Sequence, residues 1–167
     1  MKVINNLFDS FFNESVIDEL RTADFTLALD PPPEGKSDSG FVHSSLQGGN
    51  VNSLLSAKLN AYAELILKKI VRLNPDLRNY FPQRYVWNYY NKSSSGTYHP
   101  DSLEPDHISI VYYLNTCDGG TFIEDKFIES KEGRAVIFNS DVSHCGIGPT
   151  EHNARYVLNI VLVKDNQ

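Results

Sequence analysis

The chain has 167 residues, of which 41% are hydrophobic and 22% charged, the profile of a globular protein long enough to bury a core. Its formal net charge of −6 disfavours a nucleic-acid partner held by phosphate neutralisation. Residues 1–12 lack the pattern of a secretory leader, and no apolar run reaches the roughly 18 residues that a membrane span needs, so a cytoplasmic protein with no membrane partner is expected.

Residues 14–21 carry a helical pattern, with Val16, Ile17 and Leu20 on one face and Asn13 as the N-cap. Phe25, Leu27 and Leu29 alternate as a short strand that Pro31-Pro32-Pro33 stops. Residues 31–52 are rich in Pro, Gly and Ser and read as a surface loop, a candidate lid. The strongest helical signal is residues 53–73: Leu54, Leu55, Leu59, Tyr62, Leu65, Ile66 and Ile70 follow a 3.6-residue period. Ser53 is placed to cap this helix and Asn74-Pro75 to end it.

After Pro82 the pattern turns to β. Residues 85–90, 107–114, 120–124, 134–138 and 156–163 are rich in aromatic and β-branched side chains, with polar turns at 91–96 and 115–119. Helices followed by many short strands predict an α+β protein whose core is a sandwich or barrel. Cys117 and Cys145 are too few for a disulfide framework and read as buried thiols.

The chemistry gathers around His99-Pro100-Asp101, His144 and Arg155. In extended chain, residues i and i+2 point to one side, so His99 and Asp101 can converge on one ion, and Pro100 keeps His99 out of helix. Two imidazoles and a carboxylate suit Fe(II) with coordination positions left open, although a catalytic zinc ion accepts the same donors. Arg155 favours iron, because its guanidinium can grip the far carboxylate of a 2-oxo acid that chelates the metal. His43 in the loop, His107 at the head of a strand and His152 in a polar turn read as ordinary surface residues.

The segments around these residues resemble the prolyl-hydroxylase-like branch of the Fe(II)/2-oxoglutarate oxygenases, in its bacterial or phage form. The likeness runs through Tyr98-His99-Pro100-Asp101, Tyr112-Tyr113-Leu114-Asn115, Asp118-Gly119-Gly120-Thr121-Phe122, Gly133-Arg134-Ala135-Val136-Ile137-Phe138, Ser143-His144 and Arg155-Tyr156. It implies a double-stranded β-helix, a jelly-roll barrel, with N-terminal helices packed outside. The whole chain, 1–167, would be one dioxygenase domain, with 1–82 as helical support and loop and 83–163 as the barrel core.

The resemblance also implies Fe(II) held by His99, Asp101 and His144, and 2-oxoglutarate held by Arg155 with Tyr113 and Tyr90 beside it. Dioxygen would be the oxidant and ascorbate an accessory reductant. Hydroxylation of a prolyl residue in a protein or peptide is the expected reaction; a free amino acid or small metabolite is the alternative substrate. A non-catalytic metal-binding jelly roll and a zinc hydrolase are the competing classes. The zinc reading lacks a general-base carboxylate beside the ligands. Oligomeric state is not encoded in any of these features.

Overall fold

A computed structural model describes residues 1–23, 25–27, 41–47 and 54–165. In chain order the elements are β1 (Lys2–Ile4), α1 (Ser10–Leu20), β2 (Thr26–Leu27), β3 (Phe41–Gln47), α2 (Leu54–Leu73), a 3-10 turn (Pro75–Leu77), β4 (Tyr80–Asn91), β5 (His107–Tyr113), β6 (Gly120–Ile123), β7 (Lys126–Glu129), β8 (Ala135–Asn139), β9 (His144–Ile147) and β10 (Ala154–Lys164). The strands form two antiparallel sheets, a seven-stranded one in the order β1-β8-β5-β10-β4-β3-β2 and a three-stranded one in the order β7-β6-β9. This is the expected jelly roll, with both helices outside it.

Strand alternation splits the core in two. Tyr85, Trp87, Ile110, Tyr112, Leu158 and Ile160 leave the large sheet on one side and pack with Val16 and Leu20 of α1 and Leu59, Ile66 and Ile70 of α2. On the other side Val111, Tyr113, Val136, Phe138 and Val157 meet Ile123 of the small sheet. Each large apolar side chain removed from water contributes about 2 kcal/mol, so the helices brace the sheet from behind while its inner face is left to the site. β10 lies at the centre, paired with β4 on one edge and β5 on the other.

Several local expectations shift. α1 starts earlier, at Ser10, because Asp9 rather than Asn13 is its N-cap, accepting from the Phe12 N–H at 3.0 Å. Asn13 is instead fully buried inside the helix, where its amide donates to Asp9 O and its Oδ1 accepts from the Tyr112 hydroxyl at 2.6 Å.

The stretch expected as a loop contains β3, in which Phe41–Gln47 pair with β4, and His43 meets Ser56 Oγ at 3.3 Å. Its Pro/Gly/Ser-rich flanks concealed a strand whose partner lies far away in sequence. The rest of residues 31–52, with the lid reading, falls outside the described residues, as does the Ser53 cap. β4 begins before Pro82; the proline sits beside a register shift where Gln83 is the extra residue, one of the few strand positions that tolerate a missing N–H.

Candidate functional site

His99, Asp101 and His144 come together, their ligand atoms all within 4.8 Å of one another. His144 opens β9, and His99 reaches it through an isolated antiparallel bridge, so the loop after β4 lies along the free edge of the small sheet. The backbone N–H of Asp101 donates to Ser140 O at 2.9 Å, fixing this loop to the end of β8.

Both imidazoles are oriented by backbone carbonyls. His99 Nδ1 meets Thr97 O at 2.8 Å and His144 Nδ1 meets Val142 O at 3.0 Å. Each Nδ1 therefore carries the proton, which leaves each Nε2 lone pair free for a metal. His144 is buried and its ring packs edge-on against Phe138, whereas His99 is exposed. Burial lowers the His144 pKa below its ordinary value, with Asp101 pulling the other way, so the ring is neutral and ligand-competent at neutral pH.

Asp101 is held from three strands. Arg84 of β4 pairs with Oδ1, Ser109 Oγ of β5 donates to Oδ2 at 2.6 Å, and Asn159 Nδ2 of β10 spans both oxygens at 3.3 and 3.2 Å. Ser140 Oγ lies 2.8 Å from Ser109 Oγ and extends the network. Burial pushes the Asp101 pKa up, but the charges of His144 and Arg84 and the bonds from Ser109 and Asn159 outweigh it and hold the carboxyl below its ordinary value. With its pKa below the ordinary 3.8, the Asp101 carboxyl is ionised at neutral pH.

Arg155 enters at the start of β10 and is 1% exposed. Asn115 locks that end of the strand, donating from Nδ2 to Ala154 O at 2.9 Å and accepting from the Tyr156 N–H at 2.8 Å. The guanidinium lies over the Tyr90 ring at 4.7 Å and near the Tyr113 ring at 5.3 Å. Its NH2 donates to Thr121 Oγ1 at 2.7 Å, and the Tyr113 hydroxyl donates to the same oxygen at 2.9 Å. Nε and NH1 are buried with no hydrogen-bond partner among the described residues. Buried unpartnered donors on a cation are costly, and a carboxylate entering the cavity would supply the acceptors they lack. Burial raises the pKa of both tyrosines, opposed by the Arg155 charge, so both are hydroxyl donors at neutral pH.

One pocket joins the two clusters, lined by Tyr90, His99, Thr121, His144, Gly146, Arg155, Asn88 and Asn159. Gly146 closes its wall: a Cβ there would run into the Tyr90 ring and hydroxyl and come within 3.0 Å of Arg155 NH1. A two-His, one-carboxylate donor set with free Nε2 atoms, opening on the same cavity as an unsatisfied guanidinium, fits Fe(II) together with a carboxylate-bearing chelator.

Of the residues singled out in the sequence, His99, His144, Arg155 and Tyr90 line this cavity, while Asp101 lies beside His144 and Tyr113 beside Arg155. The sequence reading missed Arg84, Ser109, Thr121, Gly146 and Asn159. Asn159 had a detectable signal, being four residues beyond Arg155 and therefore on the same face of β10. His152, read as an unremarkable turn residue, holds Asp118 through Nδ1 at 2.7 Å.

No protein-family model matches the sequence, and no curated protein matches it. Solved structures do. An oxidoreductase of the 2OG-Fe(II) oxygenase family from Burkholderia pseudomallei superposes with a TM-score of 0.76 at 16% identity, covering 98% of this chain and 85% of that one. A prolyl hydroxylase from Trichoplax adhaerens, in complex with a peptide fragment of the hypoxia inducible factor oxygen degradation domain, gives 0.67 at 19% identity over 98% and 83%. The non-heme alpha ketoglutarate dependent epimerase SnoN from nogalamycin biosynthesis gives 0.72 at 10% identity over 97% and 77%. The chain thus has the jelly-roll fold of the Fe(II)/2-oxoglutarate oxygenases, and at these identities the likeness is one of fold.

Proposed function

We propose that the protein is an Fe(II)- and 2-oxoglutarate-dependent dioxygenase that hydroxylates an unactivated C–H bond, with 1–167 as one catalytic unit and 83–163 carrying the site. The observation behind this reading is a two-His, one-carboxylate cluster sharing a cavity with a buried guanidinium that has two unpartnered nitrogens. His99 and His144 hold iron through Nε2 and Asp101 through its carboxylate. Arg155 takes the distal carboxylate of 2-oxoglutarate, with Tyr90 and Tyr113 walling that end and Thr121 fixing the guanidinium. Iron with 2-oxoglutarate, when bound, supplies the oxidising power by which dioxygen hydroxylates the substrate, giving succinate and carbon dioxide; ascorbate is an optional reductant. The chain's own work is orientation: it presents three ligands from one side and shields the cosubstrate pocket with packed aromatic rings.

The substrate we favour is a prolyl residue of a protein or peptide, processed in the cytoplasm. The peptide complex of the Trichoplax prolyl hydroxylase supports it. A small metabolite is the second reading, favoured by the amide-lined wall of Asn88 and Asn159 and by the likeness to SnoN, an epimerase. The deciding experiment for the reaction class is an anaerobic titration with Fe(II) and 2-oxoglutarate. A weak metal-to-ligand charge-transfer absorption is expected, absent in His99→Ala and diminished in Arg155→Ala. No band, together with tight zinc binding, would overturn the proposal. Succinate release over prolyl peptides against small metabolites then separates the two substrate classes.

A further inference from the structure

Arg84 is charged and touches the candidate metal cluster, yet it offers no ligand atom to a cation. Arg84 projects from β4 on the face that also carries Val86, Asn88 and Tyr90, and its NH2 pairs with Asp101 Oδ1. The pair is unequal: the Asp101 side chain is 1% exposed and that of Arg84 31%. An ionised carboxylate this deeply buried is strongly destabilising unless something offsets its charge. Ser109 and Asn159 supply only dipoles. Among the described residues, Arg84 is the one permanent positive charge bonded to Asp101. It also takes Oδ1, leaving Oδ2 as the oxygen 3.5 Å from His144 Nε2.

We infer that Arg84 is a positioning residue of the metal centre, the countercharge that pairs with Asp101 and aims it while no metal is bound and that competes electrostatically with the divalent cation once one arrives. The inference rests on the metal-site reading above. Two effects of opposite sign follow. Arg84 stabilises the metal-free protein, because it neutralises a buried carboxylate. It weakens metal binding, because a fixed cation stands next to the ligand that must accept a doubly charged ion. The Asp101 side chain is 1% exposed, so repulsion felt at its carboxylate is weakly screened, and on this inference it outweighs what a better-aimed carboxylate gains. A pair with a purely structural part would stabilise metal-free and metal-loaded protein alike.

The test uses chelator-stripped protein, cobalt(II) as the probe, calorimetric titration and thermal melting with and without metal. Arg84→Gln is expected to lower the Tm of metal-free protein by roughly 2–4 °C or more. It is also expected to bind cobalt(II) about tenfold more tightly as the repulsion is relieved, so that saturating metal closes the Tm gap. Arg84→Lys keeps a charge on a shorter stem that meets Asp101 less closely, and its cobalt affinity should lie between wild type and Arg84→Gln. This variant decides the sign if Arg84→Gln does not fold.

Equal or weaker cobalt binding in both variants, or a Tm gap that saturating metal leaves unchanged, overturns the inference while the metal site stands. Wild type binding cobalt no better than His99→Ala overturns the metal reading and this inference with it.

Discussion

His99 and His144 are joined by a reciprocal pair of backbone hydrogen bonds, His99 N–H to His144 O and His144 N–H to His99 O, both 3.0 Å. The main chain, not the side chains, therefore sets the separation of the two imidazoles, whose ring centroids are 4.8 Å apart. His144→Ala should keep this bridge and the fold, with circular dichroism unchanged. Metal affinity should fall by more than the roughly 10- to 100-fold that outer-shell changes cost, as read by calorimetric cobalt(II) titration. Retained affinity would mean that the imidazole is not a ligand.

That bridge also marks the limit of what the sequence displays. His99 and Asp101 were legible because the geometry of an i, i+2 pair is local, and Arg155 because it heads a long β run. Arg84, Ser109 and Asn159 reach Asp101 from three strands, and a residue's cross-strand register is invisible in its own neighbourhood. Thr121 likewise joins Arg155 to Tyr113 across the two sheets. The fold followed the same rule. The long strands and α2 announce themselves through β-branched, aromatic or 3.6-period runs, whereas β1, β7 and β9 have only three or four residues each and are defined by their partners. β3 is longer, but its polar HSS centre matches no strand template.

Gly146 is the residue on which the pocket's shape turns most sharply. A methyl group there overlaps the Tyr90 ring and hydroxyl and crowds Arg155 NH1, so Gly146→Ala must displace the ring, the guanidinium or both. We expect 2-oxoglutarate binding to weaken by about tenfold or more, equivalent to roughly 1.4 kcal/mol, while metal binding changes little. Titration of cosubstrate against the metal-loaded variant checks this; wild-type affinity would show that the pocket yields at no cost.

Tyr112 and Tyr113 are adjacent and serve opposite faces of β5. Tyr112 is fully buried against the helices, and its hydroxyl donates to Asn13 Oδ1 inside α1. Burial raises its pKa well above the ordinary phenol value, so it is always a donor. Tyr112→Phe leaves a buried amide oxygen without its donor, a loss of about 1–3 kcal/mol, measured by urea unfolding. Cosubstrate and metal affinities should match wild type, because the side chain points away from the site.

The turn between β9 and β10 carries the chain from His144 to Arg155, and Asp118 organises it. Its carboxylate accepts from the N–H groups of Thr150 at 2.8 Å and Glu151 at 2.9 Å, from Thr150 Oγ1 at 2.5 Å, and meets His152 Nδ1 at 2.7 Å. The Thr150 side-chain bond leads, followed by His152 and the two backbone N–H groups, in driving the Asp118 pKa far below its ordinary value of 3.8. A depressed carboxyl stabilises the fold above its unfolded-state pKa and loses that contribution as the pH falls toward the folded-state value. Asp118→Asn should therefore be less stable than wild type by a constant margin at neutral pH. That margin should begin to close as the pH passes below 3.8 and go on closing in stronger acid. Urea unfolding of both proteins across this range checks the shape of the curve. A margin that grows with acidity would mean that the protonated form of Asp118 is the one the turn prefers.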